Sequence, residues 1–172
     1  GLLDRSALVK IRLGGAAAQA ALAEAEPHFG EGMSVGELRY GVIRQTSGEV
    51  VGEAVCARSG PDSWYLCVAP VLERLMAAFW QQRKVEVEDL SEARAAFALS
   101  GPRAFAVLKK MGVEEPRRSG IWQRDIARVD CEVLGLYHAG SPAVEVHCPA
   151  GYAEHVWDAL VQAGRDEKLE PC

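Results

Sequence analysis

The chain has 172 residues, 49% of them hydrophobic and 25% charged, a length and balance that suit one compact domain or two small ones with a sizeable core. Its 19 Lys and Arg against 24 Asp and Glu leave a formal net charge of −5, and the scattering of the basic residues excludes the basic stripe of a nucleic-acid surface. No run approaches the roughly 20 apolar residues of a membrane span, and the 5 cysteines (Cys56, Cys67, Cys131, Cys148, Cys172), in no C-x-x-C pair, read as buried thiols of a reducing cytoplasm.

In chain order, apolar spacing predicts a strand over 8–14, a helix over 16–25, strands over 37–45, 50–57 and 64–68, a helix over 70–82 and a strand over 85–89. The order then recurs, with a strand over 95–99, a helix over 102–111, strands over 123–129, 132–137 and 143–148, and a helix over 151–163. Turn chemistry punctuates these elements at Ser47-Gly48, from Ser59 in SGPD and from Ala139 in AGSP.

The halves share more than order. Gly15-x-x-Ala18-x-Ala20-x-Leu22 matches Gly101-x-x-Ala104-x-Ala106-x-Leu108, and Glu73-x-Leu75-x-x-Ala78-Phe79 answers Glu154-x-Val156-x-x-Ala159-Leu160. A glycine at a strand-to-helix corner, followed by small residues, lets a helix lie close on a sheet. The expectation is an α+β fold of two related units, residues 1–90 and 91–172, each with an antiparallel sheet backed by helices, side by side about a cleft or pore. The chain's abrupt ends, without an initiating Met, read as those of a piece of a longer polypeptide.

Motifs with chemistry are few. His28, His138, His147 and His155 have no partner at metal-ligand spacing, and no phosphate-cradling glycine loop or G-x-S-x-G elbow occurs. His147 and Cys148, adjacent on a strand, point to opposite faces and read as packing and a satisfied imidazole ahead of a nucleophile pair. Two carboxylates stand out. Alternation places Glu53 on one strand face with Val51, Val55 and Ala57, and Glu145 on another with Ala143 and His147. A glutamate on a half-buried face is solvated, paired to a neighbour such as Arg39, or turned toward a ligand.

GLLDRSALVKIRLGG resembles the G-[LM]-F-D-x-S-H-M-G-K-[IL]-x-[VL]-x-G segment of the aminomethyltransferase family, the T-protein of the glycine cleavage system and its relatives. GELRY (36–40) is similar to its G-x-A-R-Y, GEVVGEAVCAR to its G-G-V-I-D-D-L-I-V, VEDLSEARAAFALSGPRAFAVLKKM to its V-x-D-x-S-x-x-x-A-L-x-A-L-Q-G-P-x-A, and AGYAEHVWDALVQAG to its A-x-x-x-x-x-W-D-A-L-x-x-A-G helix. The resemblance spans the chain and implies the family's folate-binding fold without its carboxy-terminal barrel. It implies tetrahydrofolate as cofactor and a one-carbon unit moved to its N5. Glu53 takes the place of the acid that assists at N5, and Glu145 that of the glutamate holding the pterin's amino-pyrimidine edge. Tyr40 stands for an aromatic wall, with Leu8 and Val55 as apolar contacts. A carboxylate suits both places, since it accepts paired N–H donors and takes up a proton.

The chain also departs from the pattern. Gly52 replaces the first Asp of D-D, Ala7-Leu8 the His-Met, Ala69 a strand-end Asn, and YHAGSPAV the R-T-G-Y-T-G-E loop. The expected function is a tetrahydrofolate-dependent methyl or methylene transferase acting on a small-molecule or carrier-bound donor, with Glu53 catalytic, buried and raised in pKa in a cavity shared with Glu145. The alternative is a non-catalytic interaction or scaffold subunit of this fold. Neither reading calls for nucleic acid or a membrane, and both allow a partner subunit or further domain.

Overall fold

The computed structural model describes residues 1–44, 47–114, 119–138 and 141–171. By strand pairing and packing the chain divides into two compact units, residues 7–91 and residues 1–6 with 92 onward. The expected turn at Ala139-Gly140 and the thiol of Cys172 lie outside the described residues.

Strand β1 (Leu2–Asp4) is followed by the 7–91 unit, in which β2 (Val9–Gly14) sends Val9, Ile11 and Leu13 into the core by alternation. Helix α1 (Ala18–Ala25) is built from good helix formers and buries Ala18, Ala21, Leu22 and Ala25, one stripe at helical spacing. It stops where Glu26 turns extended ahead of Pro27, and the Glu26 carboxylate accepts from the His28 N–H to cap the short α2 (Pro27–Gly30). Next come β3 (Leu38–Arg44), β4 (Val50–Gly60) and β5 (Ser63–Val68). A 3-10 turn (Pro70–Leu72) leads into α3 (Glu73–Gln82), and β6 (Glu86–Asp89) closes the unit. The antiparallel sheet order is β3-β4-β5-β2-β6, with Leu66, Trp64 and Cys56 facing Leu22, Met76 and Trp80 in one core.

The second unit runs β7 (Arg94–Ser100), α4 (Ala104–Lys110), β8 (Gly120–Ile126), β9 (Val129–His138), β10 (Ser141–Pro149) and α5 (Ala153–Gly164). Its sheet order is β1-β7-β10-β9-β8, around a core of Phe97, Leu99, Leu108, Val133, Val146 and Leu160. Read from the hairpin edge, the two sheets have one topology, a split β-α-β arrangement with an added hairpin strand. Gly15 and Gly101 both adopt positive φ at the strand-to-helix corner, and the N–H groups of Ala18 and Ala104 each donate to the corner glycine's carbonyl at 3.1 Å. The expected α+β fold of two related units with antiparallel sheets is what the structure shows.

Three details differ from expectation. Residues 1–6 belong with residue 92 onward, because Leu2, Leu3 and Asp4 pair with Leu99, Ala98 and Phe97 of β7. β8 ends at Ile126 rather than near residue 129, since Ala127 and Arg128, at φ 54° and 67°, form a tight hairpin turn without a glycine to announce it. Helix α2 fell inside a stretch with no helical period.

Candidate functional site

In the 7–91 unit the helices cover one sheet face, and the residues of interest lie on the other. Register sets Tyr40 opposite Val55, Val55 opposite Cys67 and Cys67 opposite Lys10, so these four form a row across the sheet. Glu53 shares the face, two residues from Val55 and opposite Val42. Leu8 precedes β2, and its carbonyl accepts the Lys10 ammonium at 2.8 Å. Tyr40 and Val55 are half-buried, as is Leu8. The structure therefore gathers Tyr40, Glu53 and Val55, from two strands, on one face, and the Leu8 carbonyl is bonded by Lys10 of the same row.

Glu53 itself corrects the expectation of burial. It is exposed, although Ala57 on the same strand face is buried. Arg39, weighed as a partner, does not clasp it, and neither does Arg58 further along β4. Arg39 bonds the Glu37 carboxylate at 2.7 Å and the carbonyls of His28, Glu31 and Gly32, while Arg58 bonds the carbonyls of Met33 and Pro61 and lies over Trp64. Its partner is Tyr40, whose hydroxyl hydrogen-bonds the Glu53 carboxylate. That bond, with burial and the adjacent negative charge, pushes the phenol up to about 12.

Glu145 occupies β10, the middle strand of its sheet, opposite Ala98 and Leu134. It is not the counterpart of Glu53, which sits on the second strand of the other sheet; by topology β10 answers β5, and β9 answers β4. Glu145 is 3% exposed and His147 fully buried. The His147 ring Nε2 lies 3.0 Å from Glu145 Oε2, and Arg5 Nη1 lies 3.2 Å from Oε1. Next along the same face, Arg94 approaches the buried Glu132 at 3.7 Å, and Glu132 stands opposite His147. Cys148 points the other way, into the core.

Sequence reasoning missed Lys10, fully buried on the Tyr40 face, where its charge also helps hold the Asp89 carboxyl low behind the Ser91 hydroxyl and N–H. It missed Arg5 and the pairing of His147 with Glu145. Alternation could have found both, since Lys10 and His147 stand on the non-helix faces of strands buried on both sides. Among the described residues no group of three or more His, Cys, Asp or Glu gathers as a metal site, and no helix is long and apolar enough to cross a membrane.

The fold is a duplicated α+β arrangement, with an acid beside an aromatic ring on one unit's sheet face and a buried, paired carboxylate on the other's. The chain belongs to the GCVT N-terminal domain family, whose sequence profile matches residues 1–172. It is 26% identical over 187 residues to sarcosine oxidase subunit alpha of Rhizobium meliloti (strain 1021), covering 99% of this chain and 19% of that protein. It is 31% identical over 139 residues to sesamin methylene transferase of Sinomonas sp. (strain No.22), covering 78% of this chain and 30% of that protein. The crystal structure of glycine cleavage system aminomethyltransferase T from Bartonella henselae matches the fold with a TM-score of 0.81 at 22% identity, over 99% of this chain and 47% of that one. The chain thus spans less than half the length of each.

Proposed function

We propose that the chain is the pterin-binding part of a tetrahydrofolate-dependent one-carbon transferase. The observation that carries this reading is the meeting of Tyr40 with Glu53 and Val55 on one sheet face, since the resemblance implies these positions and local sequence does not join Tyr40 to the other two. The residues fit the group. Tyr40 and Val55 offer an aromatic and an apolar wall for a flat ring. Glu145 already pairs with a planar guanidinium nitrogen at 3.2 Å, the donor type that a 2-amino-4-oxo ring edge presents. Bound tetrahydrofolate would supply N5 as the acceptor of a methyl or methylene group. Glu53, oriented by the Tyr40 hydroxyl, would take up or return the proton at that nitrogen. The donor is a small molecule or a carrier-bound group, and the kinship with a sarcosine oxidase subunit alpha makes a partner subunit part of the proposal.

The exposure of Glu53 favours a second reading, a non-catalytic interaction subunit of the same fold. Calorimetric titration of tetrahydrofolate separates the two. We expect binding that weakens at least about tenfold in Glu145→Ala, where paired N–H donors lose their acceptor. Glu53→Gln is expected to bind within about tenfold of wild type and to lose roughly 100-fold in turnover. An absence of binding at any concentration leaves the interaction-subunit reading.

A further inference from the structure

The chain Arg5, Glu145, His147 runs from solvent to interior, with the Arg5 side chain 42% exposed, that of Glu145 4% and that of His147 0%. The two carboxylate oxygens are thereby differentiated. Oε2 faces a fully enclosed imidazole anchored two residues along the same strand, at 3.0 Å, and β10 is held by β7 on one side and β9 on the other. Oε1 faces a long, half-solvated side chain from the segment just after β1, at 3.2 Å. The first contact is fixed by the sheet. The second is exchangeable when another donor takes its place, because the half-solvated Arg5 guanidinium regains its hydration as it leaves.

Building on the folate reading above, we propose that Arg5 is an exchangeable cap on Glu145, and that His147 is the positioning residue that keeps Glu145 aimed when the cap leaves. The ligand edge this site takes is a planar, guanidinium-like N–H group, because a guanidinium nitrogen is what Arg5 sets 3.2 Å from the same oxygen. Binding there exchanges one planar N–H donor for another, so the buried carboxylate is not left uncompensated in either state. His147 contributes through Glu145 and touches no ligand.

The test is calorimetric titration of tetrahydrofolate into wild type, Arg5→Met, Arg5→Lys and His147→Phe, with thermal melting to confirm that each is folded. A surface cap occupied about nine-tenths of the time lowers apparent affinity by that factor, so Arg5→Met should bind about fivefold to tenfold more tightly, with Arg5→Lys between it and wild type. His147→Phe should weaken binding in the Arg5→Met background as well. Unchanged or weaker binding by folded Arg5→Met overturns the cap while leaving the folate reading intact. If tetrahydrofolate binds to none of these proteins, the folate reading is what fails, and the cap is then judged with 2-aminopyrimidin-4-one, the ring edge alone. In that case a shift of the His147 ring 15N resonances that is larger in Arg5→Met than in wild type supports the cap, and no shift in either overturns it.

Discussion

At the scale of single residues, the hydrogen bond from Tyr40 to Glu53 gives the candidate site its most direct spectroscopic handle. The phenol is raised from 10.0 to about 12 by that bond first, then by burial and the Glu53 charge. Below pH 10 the tyrosine is protonated whether the chain is folded or not, so its contribution to stability is complete. Between pH 10 and about 12 the unfolded chain releases its proton first, and stability falls as pH rises through that window. Ultraviolet titration should show a late phenolate that is lost in Tyr40→Phe and moved back toward 10 in Glu53→Gln. A late phenolate that survives Glu53→Gln would locate its cause elsewhere. The sequence allowed Glu53 to be picked out but not its environment, because alternation tells which residues share a face and not whether that face is covered at a given point. Glu145 was legible as an acid within an apolar strand, whereas Arg5 was not legible as its partner, since that contact depends on β1 pairing with a strand more than 90 residues away.

Among the elements, β4 shows why one departure from the family pattern is built into the packing. Gly52 points to the helix side of its strand, where an added Cβ would come within 2.6 Å of Leu72 Cδ1 and 3.1 Å of its Cγ. Leu72 is 2% exposed and fills the space that a side chain at position 52 would claim. Gly52→Ala is therefore expected to cost about 1–3 kcal/mol in urea unfolding, the usual scale of overpacking. Restoring the family's acid with Gly52→Asp should cost more, because the carboxylate would enter an apolar contact. If Gly52→Asp is as stable as wild type, Leu72 does not hold the place that the structure gives it. The strands were the most readable elements for a simple reason: period-2 runs such as Val9, Ile11 and Leu13 carry their own signature. The hairpin at Ala127-Arg128 was not, because its positive φ angles are imposed by the pairing of β8 with β9 and not by a glycine or asparagine at the turn.

For the molecule as a whole, the duplicated topology contains one exchange that sequence order conceals. In the 7–91 unit the outer strand beside β2 is β6, which follows α3 directly; in the other unit the matching place beside β7 is filled by β1, from the opposite side of the intervening unit. Local repeats such as G-x-x-A-x-A-x-L reveal the units because each is a short corner within one unit, whereas this exchange is a long-range pairing with no local period. It has an energetic consequence. Leu2 is fully buried in the core with Leu99, Leu108 and Val144, and its N–H donates to the Glu170 carbonyl at 2.9 Å. Leu2→Ala should cost about 2–5 kcal/mol, the range for truncating a buried leucine. The loss should be felt away from its neighbours in sequence: hydrogen exchange should accelerate in the amides of β7 and β10, with β2 and β5 keeping their protection. Equal loss of protection in β2 and β7 would mean that the two units unfold as one, and loss confined to β2 would place β1 with the segment it precedes and not with the sheet it edges.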